Sequence, residues 1–159
     1  FKSLIKRFIT PMKKMKRKGA RLARSSSLAS LAKIMDILLS PGGCPWDRRQ
    51  THATLVKYLK EEAGEAAQAV RKKDWENLKE ELGDVLLQVV FHSALARREG
   101  FFTLSDVIRT VNSKMVRRHP HVFGGGELAG KLKTPAQVLK EWAKIKKGEK
   151  ARAARRKKA

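Results

Sequence analysis

Apolar residues recur at intervals of three and four along the middle of the chain, which is the spacing of one helix face. The first run covers 28–39 and stops at the breaker cluster Ser40-Pro41-Gly42-Gly43. A second run follows the capping residue Thr51 and ends at 71–74, where basic residues suit a helix C-terminus. The segment between them, Cys44-Pro45-Trp46-Asp47, is predicted to be a structured loop.

Three further helices follow. Asp74 is predicted to cap the third helix, which becomes almost continuously apolar over 85–91, as expected for burial on most sides, including burial against another subunit. The fourth opens at Thr103-x-x-Asp106 and ends before Pro120, and the last opens at Thr134-Pro135 and fades at Gly148. No run has a period of two, so the fold class is predicted to be all-α. The residues expected to be buried are Leu55, Tyr58, Leu59, Ala63, Ala66 and Val70 in the second helix and Trp75, Leu78, Leu82, Val85, Leu86, Val89 and Val90 in the third.

The positive charge of the chain is concentrated at its two ends. Over 159 residues the net charge is +22, and residues 1–27 contain ten Lys/Arg and residues 151–159 five, with no acid in either segment. We therefore divide the chain into a basic extension at 1–27, expected to be disordered, a domain at 28–150 and a basic tail at 151–159.

The basic extension leaves several interpretations open. It suits a solvated segment without a partner, a basic helix that adheres to a membrane surface or to nucleic acid, or a targeting segment. A single cysteine, Cys44, excludes an intramolecular disulfide and fits a reducing compartment, and no apolar run is long enough to span a bilayer. These features favour a cytoplasmic protein.

Acidic residues are scarce, yet several stand among apolar residues at helical spacing. Glu61-Glu62-x-x-Glu65 lies in the second predicted helix and Glu81-x-x-Asp84 in the third. Residues three apart share a helix face, so antiparallel packing of the two helices would bring four carboxylates together. Such crowding favours a hard divalent cation such as Mg²⁺. The alternative is a solvated acidic face paired with neighbouring lysines. These neighbouring lysines are Lys57, Lys60 and Lys79.

Two groups of basic and aromatic residues are candidate substrate contacts. Lys114-x-x-Arg117-Arg118 ends the fourth predicted helix, where it either holds anionic oxygens or serves only as a charged helix end. Trp142 and Lys146 lie one turn apart in the last helix, and Trp142 either stacks on a base or belongs to the core. Acids for a metal and bases for phosphate in one small domain favour a metal-dependent phosphate enzyme.

The four histidines are not predicted to form a metal site. His119 and His121 flank Pro120, but no cysteine pair or further histidine completes a zinc ligand set. His52 and His92 are interpreted as isolated structural residues.

Four motifs occur in one order along residues 28–150. They are Gly43-Cys44-Pro45-Trp46-Asp47-x-x-Gln50-Thr51-His52, Glu61-Glu62-x-x-Glu65, Glu80-Glu81-Leu82-Gly83-Asp84 and Arg117-Arg118-His119-Pro120-His121-Val122-Phe123. Together they resemble the MazG family of nucleoside triphosphate pyrophosphohydrolases. The resemblance implies an all-α helical bundle completed by dimerisation. It also implies that Mg²⁺ or Mn²⁺ supports cleavage of nucleoside triphosphates between the α and β phosphates, which yields a monophosphate and pyrophosphate.

The resemblance also implies roles for individual residues. Glu62, Glu65, Glu81 and Asp84 are expected to be metal ligands. Glu61 is expected to orient or deprotonate the attacking water. Lys114 and Arg118 are expected to be phosphate-side cations, with Trp142 and Lys146 as further substrate contacts.

Three functions are compared on this basis. The favoured one is a nucleotide-pool housekeeping enzyme acting on normal or damaged nucleotides. The motifs match the first module of longer tandem members, so a catalytically quiet dimerisation or regulatory module is the first alternative. The second is a nucleic-acid-binding protein, suggested by the charge of +22. All four expected metal ligands are present, and an acidic centre does not suit nucleic acid as the principal ligand, so we favour the enzyme.

Overall fold

The computed structural model describes residues 18–124 and 130–156, which form helices and the turns between them. Within these residues no β-strand occurs, which confirms the predicted all-α class. Residues 18–23 are helical, and none of the described helices is long and apolar enough to cross a lipid bilayer. The helices that follow are α1 (Leu28–Leu39), α2 (Pro45–Arg48), α3 (His52–Lys72), α4 (Trp75–Arg98), α5 (Leu104–Arg118), α6 (Pro120–Phe123) and α7 (Pro135–Arg156).

Helices α3 and α4 form a hairpin on which the described part of the first of two compact units, residues 18–104, is built. Thr51 caps α3 in a reciprocal arrangement with Thr54, in which each backbone N–H donates to the other residue's hydroxyl. Lys73 ends α3 in the left-handed region at φ 57°, and Asp74 caps α4 by accepting from the Asn77 N–H at 3.1 Å. Both caps agree with the sequence prediction. Because only two residues separate the helices, α4 runs back along α3.

The hydrophobic core of the first unit lies between α1, the start of α3 and the C-terminal half of α4. Leu55 and Leu95 are 1% and 0% exposed. The buried residues that form one cluster there are Met35, Leu55, Val90, Phe91, Ala94 and Leu95. α1 has 12 residues and α4 has 24, about 18 Å and 36 Å of helix, so α1 covers only part of α4.

The predicted buried faces of α3 and α4 are therefore wrong in part. Trp75, Leu82 and Leu86 are 63%, 54% and 43% exposed, and Leu59 and Val70 of α3 are exposed as well. The buried cluster forms where α1 packs against Leu55 of α3 and the C-terminal half of α4, and the exposed residues lie outside it. The helical spacing identified the apolar positions correctly. It could not show which of these positions are covered by another helix.

The connection between α1 and α3 contains a helical turn, α2, where a loop was predicted. Pro45 occupies the first position of α2, which suits a residue without a backbone N–H. Gly43 approaches the end of α1 so closely that a Cβ there would lie 2.1 Å from the Leu38 carbonyl oxygen. The Trp46 ring packs edge-on against Tyr58, with ring centres 5.8 Å apart. Gly43 and Trp46 thus define the path of this connection.

The described residues of 105–124 and 130–156 belong to the second compact unit. α6 was not predicted, and residues 125–129 lie outside the described part of the chain. α7 continues past Gly148 to Arg156, so the prediction that it fades at Gly148 is wrong, because the Ala- and Arg-rich segment that follows favours a helix. α7 thus crosses the boundary predicted at 150. At the other boundary residues 18–23 are helical and Leu22 is buried, which differs from disorder throughout 1–27.

Candidate active site

Three carboxylates from α3 and α4 converge in the first unit. Glu62, Glu81 and Asp84 each offer an oxygen atom, and these atoms lie within 4.8 Å of one another. We call these three residues the carboxylate cluster. The hairpin register accounts for it, because His52 meets His92 at one end and Glu62 meets Glu81 nearer the turn. Glu62 and Glu81 are half-buried.

The electrostatics of the carboxylate cluster are unfavourable for the ionised acids alone. Burial, followed by the negative charge of Asp84 and then of Glu65 and Glu61, raises the pKa of Glu62. Burial, followed by the charge of Glu65 and then of the rest of the cluster, raises the pKa of Glu81. A bound cation would offset this repulsion, so the donor set fits a metal that prefers oxygen ligands.

The alternative, an acidic face paired with lysines, is not what the structure contains. The Lys79 ammonium pairs with Glu76, outside the carboxylate cluster. The Lys57 ammonium lies 4.5 Å from the ring centre of Tyr58. Among the residues described, neither Lys57 nor Lys60 forms an ion pair with any member of the cluster. The cluster therefore keeps its negative charge unmatched by the lysines considered.

Glu65 and Glu61 border the carboxylate cluster without joining it. Glu65 is exposed on α3, and a hydrogen bond with Glu65 contributes to the raised pKa of Glu81. Glu61 is exposed, and its charge acts on Glu62. The structure thus brings three of the four predicted ligands within 4.8 Å and leaves the fourth, Glu65, beside them.

In the second unit, the predicted phosphate-side cation Arg118 is bound to a carboxylate. Glu149 of α7 accepts from Arg118 Nη2 at 2.7 Å and from Arg117 Nε at 2.7 Å. These hydrogen bonds, that from Arg118 first, lower the pKa of Glu149 to about 2. Lys114 forms no hydrogen bond or ion pair with another described residue. Sequence reasoning missed Glu149, although a lone acid between Lys147 and Lys150 was a visible signal.

Trp142 is packed within the second unit by two neighbours. The His119 ring meets it at 89° with centres 4.9 Å apart, and the Lys146 ammonium lies 5.7 Å from its ring centre. The predicted proximity of Trp142 and Lys146 is therefore present. Trp142 Nε1 and His121 Nδ1 are buried, and neither has a hydrogen-bond partner within the described ranges. The indole N–H is therefore a buried donor without a partner among the described residues.

The interpretation of His52 and His92 as isolated residues is wrong. Their Nδ1 atoms face each other at 2.7 Å, with ring planes 17° apart and ring centres 5.0 Å apart. Burial, followed by the proximity of His52, lowers the pKa of His92, which favours the neutral form of His92. Because 40 residues separate the two, no local pattern could have indicated the contact.

The sequence of this chain is similar to a known protein family and to curated proteins. The family model of the MazG nucleotide pyrophosphohydrolase domain matches residues 50–123. A Thermotoga maritima protein named nucleoside triphosphate pyrophosphohydrolase/pyrophosphatase MazG is 52% identical over 122 residues, which are 77% of this chain and 45% of the relative. The Escherichia coli K12 nucleoside triphosphate pyrophosphohydrolase is 41% identical over 125 residues, 78% of this chain and 46% of the relative.

A solved structure also matches. The crystal structure of a mazG-related protein from Thermotoga maritima superposes with a TM-score of 0.62 and 31% sequence identity. The match covers 76% of this chain and 99% of that one. In contrast, this chain spans less than half the length of the two curated relatives that it matches.

Proposed function

The chain belongs to the MazG nucleotide pyrophosphohydrolase family, and from this premise we propose that it hydrolyses nucleoside triphosphates between the α and β phosphates. Water adds to the α phosphorus as the bond from that phosphorus to the bridging oxygen breaks. The products are a nucleoside monophosphate and pyrophosphate. The observation that carries the proposal is the convergence of Glu62, Glu81 and Asp84 within 4.8 Å.

Glu62, Glu81 and Asp84 would hold the metal, with Glu65 beside them as a fourth ligand. The raised pKa of Glu62 and of Glu81 supports this assignment, because crowded carboxylates gain from a cation. An all-oxygen donor set favours Mg²⁺ and also accepts Mn²⁺. When bound, such an ion supplies Lewis-acid stabilisation of phosphoryl oxygens and lowers the pKa of a water molecule.

Glu61 orients the attacking water and accepts its proton in this proposal. Its carboxylate is exposed on α3 next to Glu62, so it is open to solvent rather than enclosed among apolar residues. A carboxylate that is open to solvent can hydrogen-bond a water molecule and accept its proton. Exposure and charge therefore support the assignment of Glu61 as the general base.

Lys114 and Arg118 bind the phosphoryl oxygens of the departing pyrophosphate, which develops negative charge as the bond breaks. Lys114 has no partner among the described residues, so its ammonium is open to an anion. Arg118 is already held by Glu149, so phosphate must replace or share that carboxylate. Trp142 and Lys146 contribute further contacts, and the unpartnered Trp142 N–H supports this.

Hydrolysis of a nucleotide panel with Mg²⁺ and identification of the products tests the reaction. We expect monophosphate and pyrophosphate, and we expect Asp84→Ala to abolish turnover while the helical circular-dichroism signal persists. Glu80→Ala, at an exposed position of α4 outside the carboxylate cluster, is the matched control and should remain active. Diphosphate with orthophosphate would contradict the reaction, and full activity of Asp84→Ala would contradict the metal assignment. No turnover of any nucleotide would favour a quiet dimerisation or regulatory module.

We also propose that the chain forms a homodimer. Leu82, Leu86 and Val89 lie on one face of α4 and are 54%, 43% and 37% exposed. Leu82 and the buried Phe91 are nine residues, about two and a half turns, apart, so this apolar face points away from the core. Gly83 lies beside Leu82, and a Cβ there would have nothing within 4 Å. Light scattering on the purified chain tests the proposal, and a monomer at every concentration would contradict it.

The cellular role follows from the same premise. We propose nucleotide-pool housekeeping in the cytoplasm, supported by the names of the matched relatives and by a single cysteine. The basic ends add weak contact with nucleic acid or anionic surfaces, since a charge of +22 attracts both. Deletion of 1–17 and 157–159 tests this, because nucleic-acid binding should fall while nucleotide hydrolysis persists.

A further inference from the structure

We propose that the first unit carries a second binding site, which takes small molecules with two or more linked phosphoryl groups. A cavity of about 470 Å³ lies where the ends of α1 and α4 meet the connection that contains α2. Its wall is formed by Leu39, Pro41, Pro45, Arg48, Arg49 and Arg98. Half of these residues are arginines, and none is acidic.

The cavity is separate from the carboxylate cluster. Arg98 follows Asp84 on α4 by fourteen residues, which correspond to about 21 Å of helix. No residue of the cavity wall belongs to the cluster or borders it in the chain. A ligand in this cavity would therefore not contact Glu62 or Glu81.

The three arginines of the wall are available to an anion. Arg48 Nη1 donates to the Pro41 carbonyl oxygen at 2.9 Å, which fixes its guanidinium against the wall of the cavity. Neither Arg49 nor Arg98 forms a side-chain hydrogen bond or an ion pair with any residue in the described ranges. The neighbouring Arg97 differs, because it donates to the Asp36 carboxylate.

The acids nearest to these arginines in the chain are not part of the cavity wall. Asp47, directly before Arg48, forms no ion pair with any residue in the described ranges. Asp36 is engaged by Arg97, and the Glu99 carboxylate lies 3.9 Å from His52 Nε2. An arginine in the last turn of α4 is favourable to the helix dipole, which accounts for Arg98 alone. It does not account for Arg48 and Arg49, which reach the same cavity from another element. Three like charges around one concave space create a positive potential that an anion relieves.

The chemistry of the wall selects the ligand class. Each guanidinium presents a planar fork of donors that matches two phosphoryl oxygens, so three of them suit a linked chain of phosphates better than a single one. A volume of about 470 Å³ accommodates such a chain. Leu39 and the two prolines give the rest of the wall an apolar surface, which tolerates a group attached to the phosphates.

Titration calorimetry with tripolyphosphate in EDTA tests the proposal, because EDTA removes metal-bridged binding to the carboxylate cluster. Tripolyphosphate is expected to bind about tenfold or more tightly than orthophosphate. Arg49→Gln/Arg98→Gln should weaken tripolyphosphate binding about tenfold or more, as charge-assisted hydrogen bonds from two guanidinium groups are lost. The control Arg24→Gln/Arg71→Gln removes the same charge from exposed residues of the same unit and should change binding by less than about twofold.

Further measurements distinguish this site from diffuse electrostatic attraction and from a DNA-binding surface. Arg49→Lys/Arg98→Lys keeps the charge but not the fork, and an intermediate loss supports guanidinium recognition. If Arg49→Gln/Arg98→Gln weakens the binding of a nucleoside triphosphate as much as that of tripolyphosphate, the site is supported and a nucleotide can supply the linked phosphates. Equal weakening in the Arg49/Arg98 and Arg24/Arg71 double variants would overturn the proposal, because it indicates diffuse attraction. The proposal would also be overturned if Arg49→Gln/Arg98→Gln weakened binding of a short DNA duplex more than binding of tripolyphosphate.

Activity distinguishes this site from the proposed catalytic centre. Hydrolysis at saturating nucleotide and Mg²⁺ should be unchanged in Arg49→Gln/Arg98→Gln, because neither residue contacts the carboxylate cluster. Loss of hydrolysis in parallel with loss of binding would overturn the separation of the two sites. The binding measurement in EDTA stands by itself if the chain hydrolyses no nucleotide.

Discussion

Replacement of Glu62 by glutamine is expected to change stability in opposite directions with and without metal. In the metal-free protein the Glu62 carboxylate lies within 4.8 Å of oxygens from Glu81 and Asp84. Two unit charges at that distance repel by about 0.9 kcal/mol even at the dielectric of water. Screening at a half-exposed site reduces the sum of two such terms. Glu62→Gln should therefore raise the free energy of unfolding by about 1 kcal/mol in EDTA.

With bound metal, the wild type is expected to be more stable than Glu62→Gln. At a free Mg²⁺ concentration of about one hundred times the dissociation constant, a protein that binds it only when folded gains about 2.7 kcal/mol. For a domain of this size each kcal/mol shifts the melting temperature by about 2–4 °C, so the wild type should gain about 5–10 °C. Glu62→Gln has lost one oxygen ligand, so its gain should be much smaller.

Thermal unfolding followed by circular dichroism, in EDTA and across a Mg²⁺ titration, measures both effects. Glu80→Gln removes one charge from an exposed position of α4 outside the carboxylate cluster. This control should change stability by less than about 0.5 kcal/mol and respond to Mg²⁺ as the wild type does. A Glu62→Gln protein that is less stable than the wild type in EDTA would contradict the repulsion between these carboxylates, and equal gains from Mg²⁺ would contradict the role of Glu62 as a ligand.

Two further predictions concern the core and the second unit. Leu95→Ala, at a position that is 0% exposed, should lower the free energy of unfolding by about 3–5 kcal/mol in urea. Leu82→Ala, at a position that is 54% exposed, should cost less than about 1 kcal/mol when the monomer is measured, and equal costs would contradict the placement of the core. Because the pKa of Glu149 is lowered to about 2, its pairing with Arg118 stabilises the fold above the ordinary carboxyl pKa of about 4.3 and is lost as pH falls toward 2. Glu149→Gln should therefore lower the melting temperature at neutral pH by an amount that shrinks below about pH 4.3, and a constant difference would contradict this.

Most helix limits followed from the sequence alone. Thr51 and Asp74 were predicted to cap α3 and α4, and each does so through a contact within three residues. The end of α1 at Leu39 follows from the breaker cluster after it, where Gly43 has no room for a Cβ. Such signals are local, because a cap or a break depends on atoms a few residues apart. The family was identified from the four motifs and their order in the chain. This evidence does not depend on helix limits, because each motif contains residues with a chemical role of their own.

Part of the candidate site was also predictable. Glu62, Glu81 and Asp84 lie together because residues three apart share a helix face and a two-residue connection makes α3 and α4 antiparallel. The same reasoning could not decide that Glu65 stays beside the carboxylate cluster, since a difference of one turn depends on how the helices pack. Leu82 is exposed and Leu95 is buried because they lie on different faces of α4, and only the packing of α1 shows which apolar face is covered.

Contacts between distant residues came only from the tertiary structure. His52 and His92 are 40 residues apart, and Arg118 and Glu149 are 31 apart. No local period relates such pairs, because their distance depends on how separate helices pack. The arginines at 48, 49 and 98 likewise share one cavity only because the ends of α1 and α4 meet there. The sequence by itself determined the helices, their caps and the acids that face one another across the hairpin. The packing decided which apolar face is buried, which cation is already paired and where positive charge remains free to bind an anion.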